Sequence, residues 1–172
     1  MNRLLILPVL LLTLLVGTPP AFSADYQKGL TAYDGGDYAT ALREWTPLAE
    51  QGDVRAQTFL GFMYDQGLGV PQDYKTAVKW YTFAAKTGDA GKQYHRYMRL
   101  TAQYNLGLMY DEGRGVIQDY VRAHMWFNIA ASSGDKDMVK KRDIVAGKMT
   151  PSQLEKSQNL ARECVRKNYK EC

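Results

Sequence analysis

The sequence predicts an all-α protein made of stacked helix–turn–helix repeats and closed by a C-terminal pair of capping helices. Three observations predict it. A block recurs without a gap: RAQTFLGFMYDQGLGVPQDYKTAVKWYTFAAKTGD (55–89) and TAQYNLGLMYDEGRGVIQDYVRAHMWFNIAASSGD (101–135) match at 19 of 35 positions. A weaker copy, KGLTAYDGGDYATALREWTPLAEQGD (28–53), precedes them. Each block holds two runs of apolar residues at helical spacing, separated by glycines. One such helix pair cannot bury its own apolar face, so the copies must stack.

Residues 1–23 read as a secretory signal peptide. A single charge, Arg3, precedes an apolar run from Leu4 to Val16, followed by Gly17, Pro19 and Pro20. Ala21 and Ser23 supply the small side chains a signal peptidase requires, which places the cut before Ala24. The run of 13 residues is short of the ~20 that a spanning helix needs. An uncleaved anchor is the other reading. No cysteine lies near the cut, which excludes a lipoprotein anchor. The rest, 24–172, is read as one repeat domain: a first copy over 24–53, a second over 54–88, a third over 89–134 and a cap over 135–172.

In the first copy, Tyr38, Ala41, Trp45, Ala49 and Gly52 each lie 36 residues before Tyr74, Ala77, Tyr81, Ala85 and Gly88. Its turn is four residues shorter, so Gly29 lies 32 before Gly61. In the second copy, Ala56, Leu60, Met63 and Tyr64 share one helical face. Gly67 and Gly69 break that helix, because glycine adopts the left-handed conformations a turn needs. Asp73 is the expected N-cap of the next helix, where Ala77, Trp80, Tyr81, Ala84 and Ala85 repeat the spacing. Gly88 ends it, and Asp89 is the expected next cap. The small residues Ala56, Gly61, Ala77 and Ala84 predict close helix approach. Trp45, Trp80 and Trp126 read as core.

The third copy opens in register at GDAGKQY (88–94), then departs from it. Ten residues, 95–104, intervene before NLGLMY (105–110) resumes the motif, so Gln93-Tyr94 is echoed at Gln103-Tyr104. The insert holds neither proline nor glycine, and Tyr94, Met98 and Ala102 run on the face of Leu106. These features predict one long helix from about Ala90 to Glu112, ~35 Å at 1.5 Å per residue; a loop bulge is the alternative. A projecting helix would present His95, Arg96, Tyr97 and Arg99, residue types that binding hot spots favour. An accommodated duplication with solvated charges is the bland account.

The cap begins with a helix over 136–149. A second follows, with Thr150 as N-cap, Pro151 in the first turn and Gln153 completing a capping box. It is expected to run to about Lys167. Cys164 and Cys172 are the chain's two cysteines. On one continuous helix their separation, ~12 Å, would prevent bonding. A tail folding back after Asn168 would allow a disulfide, with free thiols or a bond to a partner as alternatives.

The shared pattern A-Q-x-x-L-G-x-M-Y-x-x-G-x-G-V-x-Q-D-Y-x-x-A-x-x-W-x-x-x-A-A-x-x-G-D resembles the Sel-1-like repeat family, relatives of the tetratricopeptide repeats. GDYATAL at 36–42 is itself similar to the latter, and the resemblance covers 28–135. It implies a right-handed α-solenoid, usually an interaction scaffold and not a catalyst, whose first helices line the concave face. By that analogy Gln57, Thr58, Gln103 and Asn105, taken as exposed, would meet a ligand, with the insert at one rim.

Charge and motifs narrow the function. The chain has 22 basic and 18 acidic residues, net +4. No concentrated basic face is evident, so nucleic acid is not the expected partner. No HExxH or Cys-x-x-Cys occurs, so neither a zinc site nor another cofactor is expected. Asp65, Asp111 and Glu112 end first helices with no evident acid–base partner. The expectation is therefore a monomeric, exported, periplasmic or secreted scaffold for a protein or peptide, not inserted in a membrane after cleavage. Two further readings remain. One is a weak hydrolase or ligand-binding enzyme using His95 or His124. The other is a peripheral envelope protein touching anionic lipid through the basic stretch 135–172.

Overall fold

The computed structural model describes residues 24–88 and 93–172, which form eight α-helices and no strand. They are α1 (Tyr26–Asp34), α2 (Tyr38–Glu50), α3 (Val54–Gln66), α4 (Tyr74–Ala85), α5 (Gln93–Glu112), α6 (Tyr120–Ala130), α7 (Lys136–Ala146) and α8 (Pro151–Arg166). Residues 1–23, read as a signal peptide, and the expected cap Asp89 lie outside the described residues.

Helix starts are set by side-chain oxygens that take up otherwise unpaired backbone N–H groups. Asp25, Asp37, Asp53, Asp73, Asp119 and Asp135 do this for α1, α2, α3, α4, α6 and α7. Thr150 and Gln153 form the expected capping box on α8, with Pro151 in its first turn. Helix α7 stops at Gly147, a turn earlier than expected.

The helices pair as α1/α2, α3/α4 and α5/α6, and each pair packs on the next. Within each pair an aromatic ring of the second helix lies across a glycine of the first. Trp45 covers Gly29, Tyr81 covers Gly61 and Phe127 covers Gly107. A Cβ on these glycines would fall 2.4, 2.5 and 2.6 Å from the ring atoms. The close approach expected of Gly61 is therefore real, and it is the rule for all three copies. Tyr81, Trp45 and Phe127 are fully buried, and Trp126 nearly so, whereas Trp80 is only half-buried.

The glycine turns have two roles. Gly67 and Gly113 end α3 and α5 with φ of +72° and +70°, the left-handed conformation. Gly69 and Gly115 sit against the N-terminal turn of the previous copy's second helix, at Tyr38 and Tyr74. A Cβ on Gly115 would lie 2.4 Å from the Tyr74 carbonyl oxygen. Gln72 and Gln118 then donate to the carbonyls of Asp65 and Asp111, at 2.7 and 2.6 Å, tying each turn to the helix it follows.

Both Asp65 and Asp111 are buried, and each has a cation supplied by the next unit. Arg114 reaches Asp65 at 2.6 Å, and Lys148 reaches Asp111 at 2.7 Å. These partners were not evident in the sequence, because 49 and 37 residues separate them from their aspartates. Burial pushes the Asp65 carboxyl above its ordinary range, and Arg114 opposes that. Such a pair contributes little net stability, yet breaking it leaves a buried charge.

Helices α7 and α8 close the stack by docking separately on α6. The tail then folds back, and Cys164 and Cys172 are joined with Cα atoms 4.9 Å apart. Asn168 and Tyr169, at φ of +50° and +65°, make the reversal.

Candidate binding groove on the first-helix face

The insert is helical. It extends α5 to 20 residues, and the register crosses 95–104 without a bulge. The residues that would begin the helix at Ala90 lie outside those described. Its added turns do not project freely. They lie against α3, where the Met98 carbonyl accepts from the Thr58 hydroxyl at 3.3 Å. At the N-terminal end the hydroxyls of Tyr94 and Tyr26 meet at 3.4 Å, so α5 touches α1 across α3. The Arg55 guanidinium sits 3.9 Å from the Tyr26 ring centroid and pairs with Asp53. Burial and the neighbouring Tyr94 raise the Tyr26 phenol above its ordinary range.

Between these helices lies a groove of about 260 Å³, lined by Tyr33 of α1, Phe59 and Phe62 of α3, and Tyr97, Met98 and Asn105 of α5. Thr58 and Thr101 complete its wall. Phe62 is 36% exposed and Tyr97 60%. Apolar surface of this kind stays in contact with water unless something covers it.

The structure sorts the candidate residues into three groups. Tyr97, Asn105 and Thr58 line the groove, though Thr58 is nearly inaccessible. His95 is half-buried and Arg96 exposed. Gln57, Gln103 and Arg99 are buried, which corrects their placement at the surface, and Thr58 shares that correction. The reason is local. Gln57 donates to the Ala49 carbonyl at 2.9 Å and Gln103 to the Ala85 carbonyl at 3.1 Å. These carbonyls end α2 and α4 and lack partners within their own helices. Each glutamine thus ties a first helix to the second helix before it. Arg99 donates to the Thr87 carbonyl at 3.3 Å and stacks on Tyr169, its guanidinium 4.4 Å from the ring centroid.

The groove residues that sequence reasoning missed are Tyr33, Phe59, Phe62, Met98 and Thr101. A signal for some of them was present. Motif residues shared by the copies are taken up by caps, turns and inter-helix ties, whereas Thr58, Phe59 and Phe62 stand where the third copy has Tyr104, Asn105 and Leu108. The shared positions build the stack, and the unshared ones are left to line it.

The two histidines sit in different settings, His95 half-buried and His124 buried. His124 is 3% exposed, and its Nδ1 lies 2.7 Å from the Ser157 hydroxyl, which also lies 2.7 Å from the Leu154 carbonyl. Burial holds its imidazole below the ordinary histidine value, with Arg142 lowering it further and Asp143 opposing. Among the described residues no three His, Cys, Asp or Glu side chains are grouped to hold a metal ion, and no helix is long and apolar enough to cross a membrane.

The Sel1 repeat model matches residues 54–89 and 100–135, the second copy and the third from the middle of the insert onward. The chain carries two Sel1 repeats. Its fold is similar to that of a protective antigen from uropathogenic Escherichia coli strains, described as displaying an SLR fold. The identity is 28%, the TM-score 0.71, and the match covers 83% of this chain and 29% of that one. It is also similar to a Sel1 repeat protein from Oxalobacter formigenes, at 28% identity and a TM-score of 0.60, over 81% of this chain and 55% of that one. The match therefore takes in less than a third of the first of those chains and little more than half of the second.

Proposed function

We propose that this Sel1 repeat protein is a non-catalytic scaffold of the cell envelope, periplasmic or secreted, that binds a peptide segment of a partner protein along its first-helix face. The carrying observation is the groove itself: an aromatic and methionine-lined channel, built from positions that the repeat motif does not use. Its lining suits apolar or aromatic side chains of an extended or helical segment, the usual anchors of peptide recognition. The exported location is supported by the apolar leader and by the bonded cysteines, since disulfides persist in oxidising compartments. N-terminal sequencing of the mature protein is expected to begin at Ala24.

Site-directed photocrosslinking in the native envelope tests the binding role. A photoreactive phenylalanine analogue is placed at Tyr97, inside the groove, and in a second sample at Ile117, a 91% exposed turn residue outside its lining. One partner crosslinked from position 97 and not from 117 supports the proposal. Identical products from both positions, or none from 97, would count against it.

A further inference from the structure

The chain has two irregularities outside the repeat pattern, the insert and the C-terminal cysteine pair, and they touch. The disulfide fixes the reversal at Asn168 and Tyr169, two non-glycine residues in a left-handed conformation that an open chain disfavours. That reversal places the Tyr169 ring under Arg99, a buried charge contributed by the insert. It also seats Asn168 against Gly88, where a Cβ would lie 2.7 Å from the Asn168 amide nitrogen. Arg99 in turn reaches the Thr87 carbonyl just past α4. The tail, the end of α4 and the insert are thus joined through one guanidinium.

We propose that the Cys164–Cys172 disulfide is a redox-controlled clasp on the insert: closed, it holds Tyr169 beneath Arg99 and fixes the α5 wall of the groove; reduced, it releases that wall. The regulatory meaning rests on the groove being the binding site, whereas the mechanical coupling does not. Access is provided. Cys164 is 1% exposed, but Cys172 is half-buried and lines a cleft of about 500 Å³ between α4, α6 and α8. Lys86, Arg122 and Lys156 line the same cleft, with Asp119 as an opposing carboxylate. Cations near a disulfide favour the approach of a thiolate. The reaction is an exchange with a dithiol. Its thiolate attacks Sγ of Cys172, and the S–S bond breaks with the electron pair leaving on Sγ of Cys164, which takes up a proton. The second thiol of the reductant then attacks the mixed disulfide. The protein gains two electrons and two protons, and the dithiol becomes a disulfide.

The test is hydrogen exchange of the mature protein, oxidised and after dithiothreitol, with thiol content measured by mass. Reduction is expected to speed exchange over 93–101 about tenfold, the loss of one partly buried cation–π contact, while 120–130 is unchanged. Tyr169→Ala, with the disulfide intact, is expected to give the same local increase, and Tyr169→Phe to restore protection. Unchanged exchange over 93–101 in a fully reduced sample would overturn the clasp. So would an equal rise in every helix, which would make the disulfide a global brace. Since no partner enters this measurement, its failure is separate from failure of the crosslinking experiment.

Discussion

The second and third copies agree at 19 of 35 aligned positions, yet their first helices serve different ends. On α3, Thr58, Phe59 and Phe62 face the groove. On α5, the equivalent Tyr104 and Leu108 pack with Phe127 and Val145 under the cap. Helix α7 takes the place of a further first helix there, and Lys148 beyond it does for Asp111 what Arg114 does for Asp65. The open face of α5 is supplied largely by the insert, through Tyr97, Met98 and Thr101, with Asn105, the equivalent of Phe59, beside them. The lesson is that identity between copies marks the joints of the stack, and difference marks where the surface is left for other uses.

The largest effects should come from breaking what the copies share. Gly61→Ala and Gly107→Ala each place a methyl within 2.6 Å of a buried ring, and each is expected to lower stability by about 1–3 kcal/mol. A urea midpoint that does not move for either variant would show that the ring steps aside, and the close-packing account would fail.

The two ion pairs should separate in size. Arg114→Met leaves Asp65 buried and unpaired, with an expected loss of about 2 kcal/mol. Lys148 is 40% exposed, so its contribution is screened and Lys148→Met is expected to cost less than about 1 kcal/mol. Adding Asp65→Asn to Arg114→Met should recover part of the first loss in equilibrium unfolding; no recovery would mean that Arg114 acts through packing alone.

A smaller difference is readable by pH. His124 stands where the second copy has Val78. Its folded value lies below its unfolded value of about 6.5. The neutral ring's contribution is therefore fully present above that unfolded value and lost as pH falls through the lower folded one. Wild-type stability should fall over that window, and His124→Val should flatten the fall. Parallel curves for the two proteins would remove His124 as the cause. The smallest effect on folding is expected at Tyr97, where Tyr97→Ala changes stability by no more than about 0.5 kcal/mol while weakening partner crosslinking from a photoreactive residue placed at Phe62.

The sequence by itself determined the all-α repeat class, the helix order, the glycine turns and the caps at Asp73 and Thr150. These follow from spacing and local chemistry, which act within a few residues. It also determined that the insert continues a helix, because nothing in 95–104 breaks one. Only the tertiary structure decided which polar residues are buried. Gln57 and Gln103 look like surface residues until the carbonyls of Ala49 and Ala85 are placed beside them. Arg99 looks exposed until the tail returns to meet it. The groove likewise joins α1, α3 and α5, so its residues meet only once the stack has formed. Periodicity fixes which way a side chain faces along its own helix, and packing alone fixes what that face meets.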